Sequence, residues 1–333
     1  MLLVLKLGAR TRVGLVALTV SVAFVACQAP LAIPRLDANL SGWDQPYVGV
    51  EGIRVHAFRT GAVRSLEGAV FAGGSWTSVV DMGAWAFVIE HPTKGLIVFD
   101  TGMAARASKE PEHYVGWLGA KMRMLDAPGG ASLIEQMRSA GLDPAAVTYV
   151  VLSHVHFDHT GGVQDFPSAK IVVSAAEKEW IMHGLGKTDF VDLEALDGLS
   201  SWQVVDYQAE KPVATLMAAH DLLGDGSILT VDLSGHTPGS TGMVIRAPGA
   251  PVLLTGDAAW TEKSWRWPAR PIKAADDDRW WEQAWRIKRF AELEPLLVVV
   301  PGHDDTAVAA IALPAFVAHA APGQTVRPDG VGS

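Results

Sequence analysis

Five apolar runs of the chain each end in a short polar loop that carries histidine or aspartate. The runs are rich in β-branched residues, as buried strands are, and they cover residues 96–99, 147–152, 227–232, 252–255 and 296–300. Glycine lies within or beside every loop, and functional residues of sheet-based proteins gather at such strand ends. The pattern therefore predicts a functional site assembled from loops at the ends of strands.

Helical patterns lie between some of these runs, which indicates an α/β layered domain. They are found at residues 132–140, 175–183 and 278–292, and each is followed by glycine or proline. Further strands are predicted at residues 53–58, 86–89, 170–174 and 242–245. No linker interrupts residues 48–320, so we predict one domain over this range and a flexible tail at 321–333.

The amino terminus has the layout of a secretory signal peptide. Lys6, Arg10 and Arg12 precede an apolar run at residues 13–26, which is shorter than the roughly 20 residues of a transmembrane helix. Residues 1–26 are predicted to be a signal peptide. Residues 27–47 contain proline and glycine without a hydrophobic period, so they are predicted to be a tether.

Cys27 is the only cysteine of the chain, which excludes an intramolecular disulfide. Val25-Ala26-Cys27 resembles the lipobox of bacterial lipoproteins, although Phe24 stands where leucine is usual. The resemblance implies that Cys27 is lipidated and attached to a membrane, and cleavage nearby without a lipid is the alternative. We predict an exported protein of the periplasm or cell envelope.

The acidic balance bears on the partners of the protein. The chain carries 27 basic and 36 acidic residues, a net charge of −9. Cleavage before Cys27 removes three basic residues and no acidic ones, which leaves 24 against 36, a net −12. Nucleic acid is therefore not expected as a partner, since binding of phosphates requires basic surface.

The loop at residues 153–159 concentrates metal-ligand residues. His154 and His156 alternate, so in an extended segment both imidazoles leave the same face of the chain and suit one metal. Asp158 and His159 follow where the chain turns, and they are better placed to face a second ion. Imidazole and carboxylate are ligands that zinc favours, so we predict a zinc site here rather than a set of core histidines.

This loop resembles the HxHxDH motif of the metallo-β-lactamase-fold hydrolase superfamily. Later motifs match in the same order: His236 in Gly-His-Thr-Pro-Gly-Ser, Asp257 after an apolar strand, and His303 in Pro-Gly-His-Asp. The resemblance covers about residues 53–303. It implies an α/β fold of metallo-β-lactamase type, a four-layer αβ/βα sandwich with the site along one edge of two facing sheets.

The resemblance also implies a set of ligands for two zinc ions, with other divalent metals as the alternative. One ion would be held by His154, His156 and His236, the second by Asp158, His159 and His303, and Asp257 would bridge them. Asp100, in Asp-Thr-Gly after an earlier strand, would accept a hydrogen bond from a ligand histidine. A turn-forming role for Asp100 is the alternative.

Such a site implies hydrolysis by a metal-bridging hydroxide, because two ions lower the pKa of a shared water from about 15.7 towards neutrality. Asp158 is expected to orient the hydroxide and to transfer the proton to the leaving group. The presence of Asp257 favours the branches of the family that cleave esters, lactones, thioesters or phosphoesters. The pattern is most similar to N-acyl-homoserine lactonases, although Trp260 stands where these commonly have a catalytic tyrosine.

Three tryptophans follow Asp257 closely in the sequence and bear on the substrate. Trp260, Trp265 and Trp267 are predicted to form an aromatic wall for the apolar acyl or aryl group of a small molecule. The alternative is that they pack a helix on the sheet. The sequence does not define the oligomeric state.

Two other functions compete with a lactone or ester hydrolase. An organophosphate or phosphotriester hydrolase of the same fold would use the same ligands. A non-catalytic envelope lipoprotein could keep the fold as a binding module, but all seven ligand positions are filled, which argues against it.

Overall fold

The computed structural model describes residues 32–36, 39–122, 124–126, 132–183, 190–271 and 274–319. The predicted signal peptide at 1–26, Cys27 and the tail at 321–333 lie outside the described residues. Among the helices of the described ranges, none is long and apolar enough to span a bilayer.

Two β-sheets form the centre of the molecule. The first has eight strands, in the order β14-β1-β2-β3-β5-β6-β7 with β4 beside β1. Its strands are β1 (Arg54–Leu66), β2 (Val79–His91), β3 (Gly95–Phe99), β4 (Leu125–Asp126), β5 (Val147–Val151), β6 (Lys170–Ser174), β7 (Trp202–Val205) and β14 (Phe316–His319). The second has six strands, in the order β13-β12-β11-β10-β9-β8. Its strands are β8 (Lys211–Val213), β9 (Leu216–Asp221), β10 (Ile228–Asp232), β11 (Thr241–Ile245), β12 (Val252–Leu254) and β13 (Val298–Val300).

Helices connect the strands of both sheets. In chain order they are α1 (Glu67–Val70), α2 (Pro111–Lys121), α3 (Leu133–Ser139), α4 (Phe157–Thr160), α5 (Ala175–Met182), α6 (Leu193–Leu196), α7 (Glu262–Arg266), α8 (Asp277–Leu293) and α9 (Asp305–Ala309). Ser132 begins α3 with a capping box, which its Ser-x-x-Glu sequence favours.

Successive side chains of a strand point to opposite faces of the sheet, and this alternation produces the four layers. Ile97 of β3 and Ile245 of β11 belong to one buried cluster between the sheets. Val98 points to the opposite face of β3 and packs in a second cluster with Met137 of α3. The outer face of the second sheet packs against α8 through Phe290. The predicted αβ/βα sandwich is confirmed.

The first two strands are much longer than the sequence predicts. β1 and β2 have 13 residues each, whereas apolar patterning indicates strands only at 53–58 and 86–89. Charged residues interrupt the pattern in the extended parts, where Arg64 pairs across the strands with Asp81, Nε to Oδ1 at 2.8 Å. This extended hairpin lies beside the candidate site described next.

Candidate metal centre

The predicted ligand loops follow β5, β10, β12 and β13. β3 and β5 are parallel, as are β12 and β13, so the loops at their carboxyl ends lie side by side. Gly102 forms a bridge with Thr160, which joins the loop after β3 to the loop after β5. His303 N donates to the carbonyl of Trp260, which joins the loop after β13 to the loop after β12.

Three histidines converge in the first ligand group. His156 Nδ1 lies 2.9 Å from His154 Nε2 and 3.1 Å from His236 Nε2. Oδ2 of Asp257 lies 3.7 Å from His154 Nε2 and 3.2 Å from His236 Nε2. The four residues therefore present their ligand atoms to a common point.

The second ligand group lies on the other side of the same aspartate. Oδ1 of Asp257 is 3.2 Å from His159 Nε2 and 3.0 Å from His303 Nε2. Asp158 completes the group, with carboxylate oxygens 3.9 Å from each of these two nitrogens. One carboxylate thus faces both groups, which is the geometry of a bridging ligand.

The local backbone explains how one loop serves both groups. His156 is still extended, with φ −66° and ψ 153°, and α4 begins directly after it. His154 and His156 therefore leave an extended segment on one face. The helical turn at Phe157 redirects Asp158 and His159 to the second group.

Hydrogen bonds orient the ligand histidines. Asp100 Oδ2 lies 2.8 Å from His159 Nδ1, and its Oδ1 accepts from the Ser153 amide at 2.7 Å. Asp100 has a φ of 57°, a left-handed conformation that aspartate tolerates. His303 Nδ1 lies 2.8 Å from the Gly83 carbonyl and donates to it. These bonds leave Nε2 of both histidines directed at Asp257.

Burial and charge set the protonation of the ligands. Burial lowers the pKa of His154 well below its usual value and that of His236 to about 3, so both imidazoles are neutral. Burial also acts to lower the pKa of His159 and His303, but the nearby carboxylates together outweigh it and raise both. Asp257 and Asp158 act on each histidine, and Asp100 acts on His159 as well. Burial acts to raise the pKa of Asp257, but the four surrounding histidines, His303 first, together outweigh it and hold the pKa well below its usual range.

The donor set fits metal ions better than it fits a hydrogen-bond network. His159 Nε2 and Asp257 Oδ1 are buried and find no hydrogen-bond partner among the described residues. The neutral nitrogens of His154 and His236 converge on His156, and a cation would satisfy such an arrangement of lone pairs. Buried polar atoms without partners are costly, and metal ligation removes that cost.

A cavity of about 530 Å³ opens directly above the ligands. His156, Asp158, His236, Asp257 and His303 form its polar floor. The walls are mostly apolar and consist of Val63, Ser65, Ala69, Met82, Val115, Met124, Phe157, Trp180, Phe190, Pro238, Trp260, Ala274 and Ala275. Strand geometry explains part of this wall, because Val63 and Met82 are cross-strand neighbours of the extended hairpin.

The three tryptophans expected in an aromatic wall lie in different places. Trp260 lines the cavity, and its Nε1 donates to Asp257 Oδ2 at 2.8 Å. Trp265 is buried in the cluster that contains Phe290, because α7 turns it towards α8. Trp267 follows α7 and is 67% exposed. The expectation that Trp265 and Trp267 line the cavity is therefore corrected.

The sequence pattern missed several residues that line the cavity and one buried carboxylate near the ligand loops. Val63 and Met82 lie in the extended parts of β1 and β2, where charged neighbours hide the strand pattern. Trp180 and Phe190 also line the cavity. Glu177 is 1% exposed in α5. The Ser174-x-x-Glu177 pattern predicts the start of a helix, but it carries no signal that this carboxylate is buried.

The sequence model of the metallo-beta-lactamase superfamily matches residues 79–303. This range includes every residue of both ligand groups. The chain belongs to the metallo-beta-lactamase superfamily.

The chain is also similar to proteins that act on homoserine lactones or bind an N-acyl homoserine, and to another lactonase. N-acyl homoserine lactonase AttM of Rhizobium radiobacter is 33% identical over 230 residues, 66% of this chain and 81% of the lactonase. A mutant of AiiA from B. thuringiensis, with N-decanoyl-L-homoserine at its active site, has a TM-score of 0.62 and 19% identity over 75% of this chain and 93% of AiiA. AidC, a dizinc quorum-quenching lactonase, has a TM-score of 0.55 and 18% identity over 80% of this chain and 91% of AidC. The two structures share the fold of this chain.

Proposed function

We propose that this protein is a dinuclear zinc-dependent hydrolase that opens the ring of N-acyl homoserine lactones. The observation that carries the proposal is the Asp257 carboxylate, which faces two ligand groups on the floor of an apolar cavity. The similarity to AttM supports lactones as the substrate class. AidC is a dizinc lactonase with the same fold, which supports two zinc ions as the metals of this site.

The two ligand groups define where the ions would bind. One ion would be held by His154, His156 and His236, the other by Asp158, His159 and His303, with Asp257 shared. When bound, two divalent ions polarise a substrate carbonyl and lower the pKa of a shared water, which supplies a hydroxide nucleophile near neutral pH.

Asp158 is the residue we assign to proton transfer. Its carboxylate lines the cavity, beside the nitrogens of His159 and His303. From there it can receive a proton and pass it to the alkoxide that leaves when the lactone C–O bond breaks.

The apolar walls would bind the acyl group of the substrate. Val63, Met82, Val115 and Met124 are among the apolar residues that line the cavity. An acyl chain in contact with them would lose its exposure to water, which gives about 0.8 kcal/mol for each buried CH₂ group. Trp260 also lines the cavity, and its indole donates to Asp257 Oδ2.

A hydrolysis panel tests the proposal. The zinc-loaded protein should hydrolyse acyl-homoserine lactones with a higher kcat/KM than aryl esters, phosphotriesters or β-lactams. His154→Ala should bind fewer than two ions and lose activity, because it removes a ligand of the first group. A preference for phosphotriesters would replace the lactone with the organophosphate alternative, and a metal-free active protein would refute the mechanism.

We also propose export with lipid attachment at Cys27, on the sequence pattern alone. Mass spectrometry of the mature amino terminus should show cleavage before Cys27 and a lipid-modified cysteine. An unmodified Cys27, or cleavage beyond it, would contradict the lipid attachment.

A further inference from the structure

Glu177 has a buried carboxylate that belongs to neither of the two ligand groups. It is the third residue of α5 and only 1% of its surface is exposed. No ion pair with a basic side chain is found for it among the described residues. Removing such a carboxylate from water is costly, and an apolar residue would fill the same space at a lower cost. Its position in the fold therefore calls for an explanation.

The hydrogen bonds of Glu177 join two ligand loops. Oε1 accepts from the Val155 amide at 2.9 Å, and Val155 lies between His154 and His156. Oε2 accepts from Thr237 Oγ1 at 2.8 Å and from the Gly239 amide at 3.1 Å, in the loop that carries His236.

Further hydrogen bonds, made by Ser174, hold the loop that carries His236 against the start of α5. Ser174 Oγ donates to the Gly239 carbonyl at 2.7 Å and accepts from the Glu177 amide at 3.1 Å. A Cβ atom at Gly239 would clash with the Glu177 amide nitrogen and with Ser174 Oγ. The loop of His236 therefore has little freedom to move relative to α5.

We propose that Glu177 is a positioning residue for the metal site formed by His154, His156 and His236. One carboxylate holds the loop with the first two histidines and the loop with the third at a fixed spacing, and so sets the affinity of this site for its ion. No hydrogen bond joins Glu177 to Asp158, His159 or His303 in the part of the chain that the structure describes. The inference rests on the proposed function only in requiring that this site binds a metal.

Glu177→Gln tests the role with little change in shape. The amide must turn its NH₂ group either towards Val155 or towards Thr237 and Gly239, so at least one donor loses its acceptor. Loss of such supporting contacts typically lowers metal affinity by about 10- to 100-fold. We expect this loss for one of the two ions and an unchanged affinity for the other, measured by zinc titration against a chromogenic chelator.

Glu294→Gln is the matched control. Glu294 is 3% exposed and also accepts three hydrogen bonds, from Trp43 Nε1, Gln45 Nε2 and the Leu296 amide. None of these donors belongs to a ligand loop. The control should lose thermal stability to a similar extent while binding both ions as the wild type does.

The outcomes separate this inference from the function it rests on. Equal affinities in Glu177→Gln and wild type, or an equal loss in both variants, would overturn the positioning role. A wild-type protein that binds no zinc would overturn the proposed function and the inference with it. If Glu177→Gln does not fold, Thr237→Val removes one donor to Oε2 and should weaken the same ion alone, and unchanged binding would overturn the role.

Discussion

At the scale of single residues, Trp260 joins the wall of the cavity to the shared carboxylate of Asp257. Its indole donates to the oxygen of Asp257 that faces the three histidines, and its ring contacts His236 edge-on at 5.5 Å between centroids. An indole can donate one hydrogen bond, but it lacks the hydroxyl of tyrosine. Trp260 can therefore hold the Asp257 carboxylate in place, whereas proton transfer must come from another group.

Trp260→Phe should lower kcat/KM without unfolding the protein. The variant keeps an aromatic ring and removes the donor to Asp257. A hydrogen bond to a charged group is worth about 1.5–3 kcal/mol, so we expect roughly a 10- to 150-fold loss. Steady-state kinetics on a lactone, with zinc content measured in parallel, checks this.

Trp267→Phe provides the comparison. Its side chain is exposed and lies outside the cavity, so its kinetics should match those of the wild type. Equal activity of Trp260→Phe and wild type would show that the indole hydrogen bond is dispensable.

The candidate metal ligands were the residues of the site that the sequence predicted best. The structure brings together all seven predicted ligands, because ligand type and position at strand ends are both visible in the sequence. The positions predicted for Trp265 and Trp267 were wrong, because the orientation of the short helix α7 depends on its packing against α8. Glu177 was missed, because burial of a carboxylate depends on the loops that close over it.

At the scale of elements, the hairpin of β1 and β2 supplies both a wall and a support. Val63 and Met82 line the cavity, while the Gly83 carbonyl accepts from His303. Asp305 accepts from Trp85 Nε1 at 3.0 Å and from Arg59 Nε at 2.9 Å, which fixes the segment after His303 to the same hairpin.

Gly83→Ala should therefore damage the second ligand group. The new Cβ would clash with the Asp305 carboxylate and the Trp85 indole, so the hydrogen bonds that hold the segment after His303 to the hairpin would be broken. We expect weaker binding of one zinc ion and lower activity, measured by metal titration. Gly73→Ala is the control, because a Cβ there meets no atom within 4 Å. Gly73 has a positive φ of 93°, so this variant carries backbone strain without a clash. Unchanged zinc binding in Gly83→Ala would contradict the supporting role of the hairpin.

Element positions followed from the sequence where one face or both faces are apolar. β6 lies at residues 170–174, as predicted, because all but its first residue are buried. The extended halves of β1 and β2 were missed, since pairs such as Arg64 and Asp81 stabilise them by cross-strand contact, which a single-strand pattern does not contain. The long helix α8 was predicted within one residue at each end, because proline follows it closely.

At the scale of the whole molecule, both sheets contribute to each ligand group. The loop after β5 of the first sheet supplies His154 and His156 to one group and Asp158 and His159 to the other. Loops of the second sheet supply the remaining ligands. Each ion would therefore connect the two sheets at their shared edge.

Removal of the metal should lower thermal stability in a zinc-dependent way. With free zinc at about 100 times Kd, one site adds about 2.7 kcal/mol to the free energy of unfolding. For a domain of this size that corresponds to about 5–10 °C in Tm. Calorimetry of chelator-treated protein, before and after addition of zinc, measures the difference. An identical Tm in both states would contradict metal binding by the folded protein.

The junction between the sheets also has a mechanical consequence. The cavity has one wall on the hairpin of the first sheet and another at Trp260 on the second, so sliding of one sheet against the other would change its width. Ions that clamp the shared edge would oppose that shear. The bound ions would then also hold the two walls of the cavity at a fixed distance, so loss of the metal would weaken substrate binding as well as stop the reaction.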